Sequence, residues 1–281
     1  MDTTKTLRPI ITIAKYTFAD EARQRSFVVM FIICVIVVFL ARGCYQGKYM
    51  VNGQALDTGT VVGAVSKVTF HIIAAGVMLI AALLSMRVFR RDRDNGMQSS
   101  ILSKPITRRQ YVMGKILGLW ALSTLFMFIL HGIVFLITSV TLKVVMPGYL
   151  AASLLCSFNL LFVVVAVLFL SLLMPDIVAF LCVLGIGVVG LVTDALYALS
   201  HSRMAQVMIP QSDTHPQNVS WGNVLYYVWP KLSGAQHVAS SFIGSEGFQG
   251  FGSLYPLINV LLYCLIFGAL LFRRFGNEEI V

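Results

Sequence analysis

The amino-acid sequence predicts an all-α integral membrane protein that crosses the bilayer six times. Three observations carry that prediction. Charged residues make up only 12% of the 281 residues and hydrophobic ones 58%, whereas a soluble domain is about a quarter charged. Mean hydropathy is +0.83. The apolar residues fall in long uniform runs, each near the ~20 residues a helix needs to cross the hydrocarbon. Lipid offers the backbone no hydrogen bonds, so only helices or a closed barrel can span it. Barrel strands are short and alternate in polarity, and these runs do neither.

The elements follow in chain order. Residues 7–25 read LRPIITIAKYTFADEARQR. Leu7, Ile10, Ile11, Ala14 and Phe18 share one helical face, while Lys15, Asp20 and Arg23 fall elsewhere. This pattern predicts an amphipathic helix lying in the membrane interface, with Pro9 tolerated in its first turn. A polar tail with chance periodicity is the plainer alternative. So many polar residues ahead of the first apolar run argue against a cleaved signal peptide. Spans are predicted over 26–41, 68–89, 112–142, 149–174, 177–199 and 254–272. The first is short, and Arg25 and Arg42 extend it by snorkelling. Asp176, after Pro175, reads as the N-cap of the fifth span. The segment 200–253 is rich in Gly, Ser and Gln. Its Trp221, Tyr226, Tyr227 and Trp229 suit the membrane–water boundary. They predict a short interfacial or re-entrant helix from Trp221 to Trp229, ending at Pro230. The whole chain, 1–281, reads as one transmembrane domain.

Orientation follows from Lys and Arg. Six spans put both termini, the second-to-third loop and the fourth-to-fifth turn on one side. That side collects Lys5, Arg8, Lys15, Arg23, Arg25, Arg87, Arg90, Arg91, Arg93, Lys104, Arg108, Arg109, Lys115, Arg273 and Arg274. The other holds only Arg42, Lys48, Lys67, Lys143, Arg203 and Lys231. The positive-inside rule then predicts that both termini are cytoplasmic. The net charge of +9 lies beside apolar runs, which points to anionic headgroups and not to nucleic acid.

Enzymatic signatures are missing from the sequence. Gly114-Lys115 is followed by Ile116, with no earlier glycine in phosphate-loop spacing. The histidines, His71, His131, His201, His215 and His237, show no metal-ligand spacing, and neither H-E-x-x-H nor G-x-S-x-G occurs. The cysteines form no C-x-x-C pair, and four of them lie in apolar runs as small helix residues. No catalytic, cofactor-binding or metal residue is therefore predicted. Polar residues inside spans are functional candidates by default. Asn159, Asp194 and His131 form the candidate substrate path. The plainer readings are a His bonded to a neighbouring helix and an Asp in headgroup water.

The densest positive charge lies in RVFRRDRDNGMQSSILSKPITRRQYVMGK, residues 87–115. Gly96 permits a sharp turn. MQSSILSK can form two helical turns, with Met97, Ile101 and Leu102 on one side. Pro105 stops them, and Arg108 and Arg109 begin the third span. A short displayed helix with an apolar stripe suits a groove in another protein, and an ordinary loop dipping into headgroups is the plain alternative. Asp92, Asp94, Gly96, Ile101-Leu102, Pro105, Thr107, Arg108, Tyr111, Gly114 and Lys115 together resemble the signature of type-2 permease subunits of ATP-binding-cassette exporters. The layout of an amphipathic helix, six spans, a cytoplasmic helix and a long outer segment resembles that family too. Three positions depart from its pattern: Met97 where Thr is frequent, and Asp92 and Asp94 where Glu is commoner.

The resemblance implies a permease subunit of an ABC transporter in the bacterial inner membrane. It implies two ATPase subunits and a second permease copy or homologue as partners. It implies a coupling helix at about 95–103 seated in an ATPase cleft. Coupling would fall to Asp94, Gly96, Met97, Ile101, Leu102, Pro105, Thr107 and Arg108. ATP and Mg would sit on the partner ATPase, with no cofactor on this chain. Substrate would move outward by alternating access. Two other functions fit the residues: a membrane-embedded lipid-processing enzyme, and a subunit that relays conformational signals or anchors other proteins.

Overall fold

In a computed structural model the described residues are 3–40, 42–45, 50–51, 54–55, 58–103, 105–141, 145–200, 226–243 and 254–277. Helices α1 (Thr3–Ala22) and α2 (Arg25–Leu40) meet at a 68° bend. A single turn, α3 (Arg42–Tyr45), follows, then a two-residue antiparallel hairpin of β1 (Met50–Val51) and β2 (Gln54–Ala55). Next come α4 (Thr58–Ser85), α5 (Val88–Asp94), α6 (Met97–Leu102), α7 (Arg108–Thr141), α8 (Gly148–Ser171) and α9 (Asp176–Ser200). After a helical turn at 226–228 the chain forms α10 (Leu232–Ser241) and α11 (Tyr255–Gly276). The protein is an all-α integral membrane protein that crosses the bilayer several times.

Among the described residues five helical segments are long and apolar enough to span: Val61–Asp94, which joins α4 and α5, then α7, α8, α9 and α11. α2 has 16 residues, about 24 Å at 1.5 Å per residue, short of a ~30 Å hydrocarbon core. It makes a sixth span only with help from its flanks. α8 is the hub. Its run from Asn159 to Leu168 is buried almost without a break, as a helix apolar all round must be. It packs against α4, α7, α9, α10 and α11. α9 and α11 instead turn Ile177, Leu181, Val188, Leu191, Ile258, Leu262 and Leu265 outward, the surface lipid would cover.

Several boundaries differ from the sequence reading. The second span begins at Thr58, breaks briefly between Ser85 and Val88, and continues as α5. Asp176 is the first helical residue and not the cap: Ala179 N donates to Pro175 O at 3.0 Å. Pro9 lies within α1, beyond its first turn, because the helix already starts at Thr3. On α1 the face that meets protein is a different one from the stripe expected at the interface. Ile13, Thr17 and Glu21 are the buried positions, and Leu7 and Ile11 are 53% and 55% exposed. Of the helix expected over Trp221 to Trp229, residues 221–225 lie outside the described residues. α10 was not anticipated at all. Its small residues, Gly234, Ala235, Ala239 and Ser240, read as loop in sequence, yet they let it settle against α4, α8, α9 and α11.

Candidate functional site

The Arg-rich end of the bundle is built on α5. Its residues Val88, Phe89 and Asp92 recur at one-turn spacing and are buried, while Arg90, Arg93 and Asp94 face out. Burying Asp92 requires a partner. Lys115 Nζ of α7 lies 2.5 Å from Asp92 Oδ2, and the two side chains are only 4% and 2% exposed. The Tyr111 hydroxyl donates to the same oxygen. Beside this clamp the rings of Phe89 and Phe275 lie 5.2 Å apart, and those of Tyr111 and Phe275 5.7 Å. One carboxylate and three rings thus join α5, α7 and α11.

A second layer holds α1. Gly114 and Gly118, four residues apart on α7, form a small-residue face of the kind that lets helices approach closely. A Cβ on Gly114 would stand 2.7 Å from Ile13 Cβ, and one on Gly118 2.7 Å from Ala14 O. α1 also carries Asp20 and Glu21 to Arg91, at 2.6 Å and 2.5 Å. Burial pushes the Glu21 carboxyl above its usual range, and the Arg91 guanidinium works against that.

α6 hangs between these supports. Gly96 adopts φ 65°, a left-handed conformation that glycine takes without strain. Its N–H donates to Arg93 O at 3.0 Å, ending α5 as a helix C-cap does. Met97 projects outward, 44% exposed. Ile101, expected on the same displayed stripe, instead packs half-buried against the core. Gln98 is buried, and its Oε1 has no partner among the described residues. Asp94 is exposed, 4.0 Å from Arg90. The side chain of Leu102 lies outside the described residues. Pro105 is exposed at the corner.

Thr107 and Arg108 take structural positions. Gln110 N donates to Thr107 Oγ1 at 3.3 Å, and Thr107 N donates to Gln110 Oε1 at 2.9 Å. This is a reciprocal capping box opening α7. Arg108 Nη1 donates to Gly276 O at 2.9 Å and so closes the last turn of α11. Thr107→Ala is expected to weaken the first turn of α7 by about 1 kcal/mol. Amide exchange at 108–111 should then quicken several-fold, with exchange at 120–130 unchanged.

Of the three residues expected on a substrate path, Asn159 and Asp194 both meet the start of α10, while His131 is engaged by other residues. His131 is fully buried, its Nδ1 2.9 Å from Ser153 Oγ of α8 and its ring stacked at 4.7 Å on Phe70 of α4. Asn159 Nδ2 donates to Leu232 O at 2.9 Å, fastening the start of α10 to α8. Asp194 Oδ1 receives Lys231 Nζ at 3.0 Å, also near the start of α10. Asn259 Oδ1 accepts from Lys231 N at 3.1 Å. His71 meets Gln236 of α10 at 3.5 Å. Among the described residues no cluster of metal-ligating side chains forms.

Sequence reasoning missed the partners of these charges, namely Glu21 for Arg91, Lys115 for Asp92 and Lys231 for Asp194. It also missed the close approach of α1, whose signal, the glycines of GKILG, was present in the sequence. The family model described as "ABC-2 family transporter protein" matches residues 11–280. No individual curated protein shows significant similarity to the chain.

Proposed function

This chain belongs to the ABC-2 family of transporter proteins, and from that premise we propose that it is the permease subunit of an exporter driven by a separate ATPase. Two ATPase subunits and a second permease copy complete the assembly. ATP and Mg bind the ATPase pair, and this chain supplies no phosphate-binding loop. The Arg-rich end faces the cytoplasm of a bacterial cell, with both termini, and substrate leaves by alternating access.

One observation carries this reading. α6 is a short helix displayed beyond the apolar bundle, set at its angle by Gly96 in the left-handed region and by the Thr107–Gln110 box. Its supports, α5 and α7, are locked by the Asp92–Lys115 pair. A push on α6 is therefore passed into α4 and α7 instead of being absorbed by the loop. Gly96, Thr107 and Arg108 act by holding α6 in place, and Met97 is the apolar contact offered to the ATPase. Asp94 and Pro105 sit exposed beside it.

Met97→Asp tests the assignment. Its side chain is already 44% exposed, so the permease should fold unchanged. Seating a carboxylate in an apolar cleft should lower ATPase co-purification and stimulated ATP turnover about tenfold or more. Unchanged turnover with the ATPase still bound would refute the docking assignment. Ile101→Asp is the poorer test because Ile101 packs inward. The enzyme alternative needs converging acids or bases, whereas His131 and Asp194 are each engaged by separate partners.

A further inference from the structure

The bend between α1 and α2 opens on a cavity of about 760 Å³ at the Arg-rich end. Met97, the contact offered to the ATPase, does not line it. Its volume lies within the 300–1,000 Å³ usual for small-ligand sites. One part of its lining is charged: Arg87, Arg90 and Arg91, with Glu21, Asp94 and Asp176. The other part is apolar, made by Met30 of α2, Leu83 and Leu84 of α4 and Ile177 of α9. Ile177 is itself 63% exposed, so this wall runs on to the lipid-facing side of α9.

The charges are not equally committed. Arg91 is held by Asp20 and Glu21 at 2.6 Å and 2.5 Å. Arg90 lies 4.0 Å from Asp94 and 3.6 Å from Asp176, beyond direct hydrogen-bond reach. The Arg87 side chain has no hydrogen bond or ion pair among the described residues and is exposed. Two guanidiniums and two carboxylates therefore stand side by side with their strongest contacts unmade. A purely anionic ligand would answer only half of that set, since Asp94 and Asp176 would repel it. A headgroup carrying both phosphate and ammonium answers all of it. Arg binds phosphate oxygens through its planar fork, and an ammonium can bridge paired carboxylates.

We propose that this cavity binds a glycerophospholipid with a phosphate-and-ammonium headgroup. The phosphate sits on Arg87 and Arg90, the ammonium on Asp94 and Asp176, and the acyl chains pass over Met30, Leu83 and Ile177. The family reading serves only to name the leaflet, the cytoplasmic one. Because Asp94 and Arg90 belong to the α5–α6 elbow, lipid occupancy bears directly on the segment that moves.

The test uses the full chain, delipidated in detergent, and native mass spectrometry to count retained lipid. Dioleoyl phosphatidylethanolamine should be retained as one tight adduct. Dioleoylglycerol, with the same chains and no headgroup, should not. Arg87→Ala with Arg90→Ala should weaken the adduct about tenfold or more, the equivalent of one charge-assisted contact. Arg87→Lys should weaken it less. Equal retention of dioleoylglycerol, or an adduct indifferent to the arginine substitutions, would overturn the proposal as nonspecific lipid. Inorganic phosphate that binds with the same arginine dependence while the phospholipid does not would overturn it in favour of a soluble anion. A double variant that keeps the lipid but loses the ATPase would instead assign the cavity to docking. The readout needs no ATPase, so a failed Met97→Asp test leaves it standing and its own failure leaves the coupling assignment standing.

Discussion

Asp92→Ala is expected to destabilise the protein by about 3–5 kcal/mol, the usual effect of removing one member of a buried ion pair. Lys115 would be left 3% exposed with its ammonium unanswered, and the Tyr111 hydroxyl would lose its acceptor. The destabilisation comes from the stranded charge more than from the lost attraction. The double variant Asp92→Leu with Lys115→Met should therefore recover the part due to the stranded charge, because a well-packed apolar pair often replaces a buried ion pair without penalty, while the Tyr111 hydroxyl stays without its acceptor. Thermal unfolding in detergent reads both variants. The double variant has a further use. If the pair fixes the angle between α5 and α7, the stable double variant should still hydrolyse ATP with its partner poorly. Equal losses for the single and double variants would show that the pair is not isolated in the way its burial indicates.

Gly118→Leu should detach α1 from α7. A Cβ alone would stand 2.7 Å from Ala14 O and 2.8 Å from Thr17 Cβ, and a backbone oxygen cannot rotate away as a flexible side chain can. Overpacking of this kind costs about 1–3 kcal/mol. Relief would come by lifting the whole helix, since α1 is held mainly along this one face. Trypsin should then cut at Arg23 and Arg25 about tenfold faster, and Arg91 should lose Asp20 and Glu21 together. Gly132→Leu is the control, because a Cβ there meets nothing within 4 Å. Equal cleavage of the two variants would show that the glycine contact does not hold α1.

The elbow was legible in part. Gly96 and Pro105 announce a turn and a stop whatever surrounds them, because their constraints are local to the backbone. Thr107 with Gln110 is a capping box visible in four residues. The roles of Asp92 and Ile101 were not legible. A seven-residue charged segment has no apolar period strong enough to say which side turns inward, so Asp92 and Asp94 looked alike in sequence. In the fold one is 2% exposed and the other 67%. Nor was the face of α1 that meets protein legible. Leu7 and Ile11 suit a helix that meets lipid, while the face that meets protein is chosen by the glycines of α7.

The sequence by itself determined that this is a helical membrane protein, where its apolar runs lie, and where the charged elbow leaves the bundle. Those properties depend on transfer from water to lipid and on the reach of a single backbone, both of which are written locally. The tertiary structure alone decided which charges are buried, that α10 is drawn into the bundle by Asn159 and Lys231, and that α1 seals against α7. A charge can be buried only when a distant segment brings its counter-charge, and a small-residue helix is held only when a partner fits it. Neither condition exists until the chain has folded.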